Sequence, residues 1–139
     1  MARAAQAPQR ARILISVRNP VAVAYCLGTL DRRAVEDLAA RVRGLLFEGV
    51  RGFVCSLERV EHIHFQALET LVSLHRLVAD AGGRVILAGA SPYLQQILDF
   101  GGIPGRVRVT PDRLGAVQEL HDSLAPGTAP VASVQPSLL

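Results

Sequence analysis

Two short apolar runs with one amphipathic stretch between them constrain this chain more than any other feature. The first run, Gly52-Phe53-Val54-Cys55-Ser56-Leu57, suits a strand buried on both faces. Residues 60–77 then read as a short loop opening an amphipathic helix. Ala67, Leu71, Leu74, Val78 and Ala81 recur at steps of four and three, which is one helix face. Gly82-Gly83 stops that helix, and Arg84-Val85-Ile86-Leu87-Ala88 follows as a second buried strand. Strand, loop, helix, glycine stop and strand make a βαβ unit. Function in such units gathers at the carboxyl ends of the strands. Here that place is residues 56–67.

The remaining elements extend the same sheet. Residues 12–17 and 21–27 read as strands of a hairpin turning at Arg18-Asn19-Pro20, antiparallel because the link is short. Gly28-Thr29-Leu30-Asp31 leads into a helix that runs to about Phe47, with Asp31 as its N-cap. Leu38, Val42 and Leu45 or Leu46 mark the buried face of that helix. Ser91 and Pro92 open a third helix as cap and first residue, and Gly101-Gly102 ends it. Residues 107–109 read as a short strand, and Thr110-Pro111-Asp112 repeats the cap-plus-Pro device. A last helix over residues 111–124 turns Leu114, Val117 and Leu120 or His121 inward. The predicted fold is α/β, a mixed sheet of about five strands with about four helices. Residues 12–125 form the domain, between a disordered basic N-terminal tail at 1–11 and a flexible, uncharged C-terminal tail at 126–139.

Charge and composition remove several function classes. All fifteen basic residues are Arg, so Schiff-base and P-loop lysine chemistry have no residue to use. The net charge of +3 traces to Arg3, Arg10 and Arg12, and the other twelve Arg balance twelve acids. That leaves no basic stripe for nucleic acid. No apolar run approaches the ~20 residues needed to span a bilayer, and the start of the chain has no apolar segment of the signal-peptide kind. The expectation is a cytoplasmic protein without membrane insertion. Cys26 and Cys55 fall in apolar strands and read as small core residues. The glycine pairs follow helices instead of opening them, so no phosphate cradle is expected.

His62 and His64, with Glu58 and Glu61, form the one dense polar cluster. A metal site there needs three or four converging ligands, and no Cys or further His is near in sequence, so the plain reading is a polar loop ahead of a helix. A metal- or ligand-binding role for His62 and His64 stands as the alternative. A hydrolase using Ser56 or Thr29 with a histidine lacks the Gly-x-Ser-x-Gly turn. His64 is an imperfect helix cap or a titrating surface group. Phe65 is either a buried staple at the start of the helix or an exposed anchor.

Residues 53–103 resemble a STAS domain, the module named after sulphate transporters and anti-sigma factor antagonists. The resemblance rests on Ala81-Gly82-Gly83-Arg84-Val85-Ile86-Leu87-Ala88-Gly89, on Ser91-Pro92 and on Leu27-Gly28-Thr29-Leu30-Asp31. Where that family has Asp-Ser-Ser-Gly-Leu opening a helix, this chain has His64-Phe65-Gln66-Ala67-Leu68. The resemblance implies a non-catalytic module that works by protein contact without a cofactor. It also implies that serine phosphorylation at this place is not available. The implied contact surface comprises Gly28, Thr29, Asp31, Ser56, Glu58, His62, His64, Phe65, Gln66 and Glu69. The implied partners are an anti-sigma-type kinase, another STAS protein, or a transporter subunit such as that of a bacterial lipid ABC transporter. A homodimer through the same patch is the further possibility.

Overall fold

In the computed structural model, which describes residues 12–124, the five strands lie side by side in chain order. β1 (Arg12–Arg18) pairs antiparallel with β2 (Val21–Leu30). β3 (Gly52–Ile63), β4 (Arg84–Ala88) and β5 (Arg108–Thr110) then continue from β2 in parallel. Three helices make the crossovers: α1 (Arg32–Phe47), α2 (Phe65–Asp80) and α3 (Pro92–Phe100). Each crossover advances the sheet in the same direction. The strong preference for right-handed crossovers therefore stacks all three helices on one face. α4 (Arg113–Leu124) follows the last strand and covers the other face.

Both faces of the central strands are thus buried, which is why their sequences read as unbroken apolar runs. Ala22, Ala24, Phe53, Cys55, Val85 and Leu87 pack under α1, α2 and α3 against Leu38, Leu71 and Leu98. The alternate residues Val21, Val23, Val54, Ile86 and Ala88 pack under α4 against Ala116 and Leu120. The N-caps at two helices are the expected ones. Asp31 Oδ1 accepts from the Ala34 amide at 2.8 Å, and Ser91 Oγ accepts from the Leu94 amide at 3.1 Å.

The structure corrects several details. β3 does not end in a loop after Leu57; it continues to Ile63. Its pairing with β2 slips between Tyr25 and Leu27 and again between Gly28 and Thr29. These irregularities replace two-residue alternation with burial of Leu57, Val60 and Ile63, a spacing that reads as irregular chain. At α4 the cap is Asp112, whose Oδ2 accepts from the Gly115 amide at 2.9 Å, while Thr110 closes β5. Leu114 is largely exposed, and the buried residues of α4 are Ala116 and Leu120. The helix runs close to the sheet: a Cβ added at Gly52 would lie 3.3 Å from Leu120 Cβ. Small Ala116 suits so close an approach. Ala81 is the exposed residue after α2 and adds nothing to its buried face. The two expected tails lie outside the described residues.

Candidate functional site

β4 pairs with β3 only as far as Ser56 opposite Ala88. Residues 57–63 of β3 run on past β4, paired with β2 alone. This projecting ribbon carries Gly28 opposite Val60, Thr29 opposite His62, and Leu30 opposite Ile63. The chain then turns directly into α2, with the His64 amide donating to Leu30 O at 2.8 Å. His64 occupies the cap position, but its side chain makes no capping hydrogen bond. Its reading as a cap is therefore corrected: the ring instead stands edge-on to His62, with centroids 5.4 Å apart.

The next contact crosses to α3. His62 Nδ1 lies 2.7 Å from the Tyr93 hydroxyl, and the two rings are stacked at 5.8 Å. Tyr93 sits one residue past Pro92, in the turn that Ser91 caps. Beside this bond, residues of α2, α3 and the end of β3 line an open hollow of about 450 Å³. Ile63, Leu68 and Ile97 line its apolar part, His62, Tyr93 and Gln96 its polar part, and Phe65 and Phe100 complete the lining. Phe65 is 70% exposed and Phe100 88% exposed, so both rings stand in solvent. Phe65 is therefore not the buried staple at the start of the helix.

The other expected site residues fall in different places. Gln66 and Glu69 are exposed on the first turns of α2, beside Phe65. Asp31 directly follows Leu30 and caps α1. Ser56 is only 3% exposed and cannot present its hydroxyl to a partner or a substrate. Glu58 packs against Gly89 and lies 3.6 Å from Arg113 Nε, whose guanidinium also sits 5.3 Å over the Tyr25 ring. Glu58 therefore meets the start of α4. The sequence reading missed Tyr93, Ile97 and Phe100 as parts of this hollow. Two aromatics seven residues apart on one short helix were the available signal.

Among the described residues no three His, Cys, Asp or Glu side chains converge on a common point. Burial pushes the Cys26 thiol up to about 12 and raises Cys55 as well, so neither supplies a thiolate near neutral pH. Among the described residues no helix is long and apolar enough to cross a membrane.

Comparison with known proteins bears on the fold and the family. An anti-sigma F factor antagonist of Lysinibacillus sphaericus is 26% identical over 88 residues, covering 63% of this chain and 75% of that protein. The unphosphorylated form of the anti-sigma factor antagonist SpoIIAA, a Bacillus cell fate determinant, superimposes with a TM-score of 0.68 at 20% identity, covering 79% of this chain and 96% of that one. A sulfate transporter family protein from Wolinella succinogenes superimposes with a TM-score of 0.61 at 21% identity, covering 76% and 88%. The STAS domain pattern matches residues 12–115. The chain belongs to the STAS domain family.

Proposed function

We propose that this protein is a non-catalytic regulatory module that captures a protein partner through the surface where β3 passes into α2, and that it does so without phosphorylation there. The observation that carries this reading is the exposure of Phe65 on the first turn of α2. A large aromatic side chain held in water by a rigid helix gives up its hydration on binding and is a typical binding anchor. Phe100 and the hollow between them extend the patch, and the His62–Tyr93 bond fixes its far side.

SpoIIAA is described in both phosphorylated and unphosphorylated forms. Residues 64–67 of this chain are His, Phe, Gln and Ala, none of which carries a hydroxyl. The nearest hydroxyl in α2 is that of Thr70, which donates to Gln66 O at 3.2 Å. A phosphate would bring nearly two negative charges to the start of a helix and change which partners fit. A phenyl ring in its place makes a contact that is always on, as suits a scaffold subunit.

The test has two parts. The wild-type chain and Phe65→Asp are used side by side to capture partners from the native cytoplasm, and each captured protein is re-tested in purified form. A partner that binds wild type and not the variant supports the reading; equal binding by both overturns it. Incubation with an anti-sigma-type serine kinase and ATP, read by intact mass, should add no phosphoryl group to residues 64–70.

A further inference from the structure

We propose that the hollow between α2 and α3 receives a second copy of this chain, paired across a two-fold axis so that Phe100 of each copy enters the hollow of the other. The proposal rests on the reading of this surface as a protein-docking patch and names the occupant.

Three features carry it. First, knob and hollow share one patch. Phe100 projects 88% exposed from the edge of the hollow that it lines. A two-fold interface uses the same patch twice, so a patch that holds both a projection and a recess can complement itself.

Second, the charges permit it. No Asp, Glu, Lys or Arg lines the hollow. Any charged group near a two-fold axis faces its own copy, so most charged surfaces repel themselves, and this one does not. A smaller depression beside it, also lined by Phe65, carries one residue of each sign, Glu69 and Arg106. Both are exposed. A two-fold can set Glu69 of one copy against Arg106 of the other, forming the pair twice.

Third, self-pairing through the long edge strand β1 is obstructed. β1 is an edge strand, and edge strands invite pairing with a second copy. Aligning the full length of β1 antiparallel with itself would centre on Ile15 and set Arg12 against Arg18 at both ends. The Ile13 carbonyl already accepts from Arg41 Nη1 at 2.8 Å.

The experiment is sedimentation velocity of the purified 139-residue chain over a wide concentration series. The expected result is a reversible dimer for wild type. Phe100→Asp should weaken it at least about tenfold, as loss of a binding anchor does. Because Phe100 is exposed, an unchanged circular dichroism spectrum and melting temperature are expected for the variant. Glu69→Arg and Arg106→Glu should each weaken the dimer, and the double variant should regain much of the loss. A wild-type chain that stays monomeric at its highest soluble concentration overturns the proposal. So does a dimer that Phe100→Asp leaves intact, which would place the interface elsewhere. A monomeric wild type that still captures a foreign protein through Phe65 would sink this inference alone and leave the proposed function standing.

Discussion

His62 Nδ1 and the Tyr93 hydroxyl meet at 2.7 Å, joining the end of β3 to the first turn of α3. The bond spans two elements that share no backbone pairing at that level of the sheet, and it sets one side of the hollow. Either tautomer of the imidazole can make it, as donor or as acceptor. Tyr93→Phe keeps the ring stacking and removes only the bond. The expected cost in urea denaturation is at most about 1 kcal/mol, because the bond is solvent-accessible. Partner affinity should fall several-fold more than that stability loss explains, measured by isothermal titration with the identified partner.

Phe65 and Leu98 should respond in opposite ways. Phe65→Asp touches no core contact and places a carboxylate at a helix N-terminus, where the peptide dipoles favour it. Its unfolding free energy should stay within about 0.5 kcal/mol of wild type. Leu98 is fully buried under the sheet, and Leu98→Ala should cost about 2–5 kcal/mol. Thermal melts of the two variants, with partner binding measured alongside, separate the surface role from the structural one.

Gly89 is held at φ +80°, and a Cβ there would lie 2.5 Å from Glu58 Cγ. Gly89→Ala therefore meets both a left-handed backbone and a packed side chain. It should destabilise by more than about 1 kcal/mol. Adding Glu58→Ala should return the steric part and leave the backbone part, so the double variant should melt between Gly89→Ala and wild type.

Glu119 ties α4 to the far strands. Its carboxylate accepts from Arg108 Nη2 at 2.9 Å and Nε at 3.1 Å, and from Arg84 Nη2 at 2.9 Å. The Arg108 hydrogen bonds, with Arg84 assisting, hold the Glu119 carboxyl below its ordinary value. A carboxyl depressed in the folded state stabilises the fold above its unfolded pKa, and this is lost as pH falls through the folded one. Wild type should therefore melt higher than Glu119→Gln at neutral pH. The gap should close on acidification below about 4, the ordinary carboxylate range. It should also narrow in high salt, because the pair lies near the surface.

Much of the fold was legible because local signals agreed with one another. Asp31 and Ser91 are capping residues at the starts of α1 and α3, and both do cap them. The runs at β3 and β4 are apolar on both faces because both faces are covered. The site was legible only in part. The slips in β2–β3 pairing hid the second half of β3, since no sequence period marks a strand that breaks its own alternation. Tyr93 and Phe100 were hidden for another reason. They reach the site through the crossing of α3 over the end of β3, and their seven-residue spacing marks a shared helix face without saying which element that face meets. Leu114 misled because size alone does not say which side of a short helix faces a closely packed sheet.

The unequal division of helices over the two faces sets an order of events during synthesis. Residues 12–100 can assemble the side covered by α1, α2 and α3 as they leave the ribosome. Val21, Val23, Val54, Ile86 and Ala88 must wait for α4, which is made last among the described elements. Until residues 113–124 emerge, the nascent chain presents a bare apolar sheet surface of the kind that aggregates or recruits chaperones. Premature termination before Arg113 would therefore leave a chain with the proposed docking patch already built and its other side uncovered. Such a fragment could sequester partners while it misassembles.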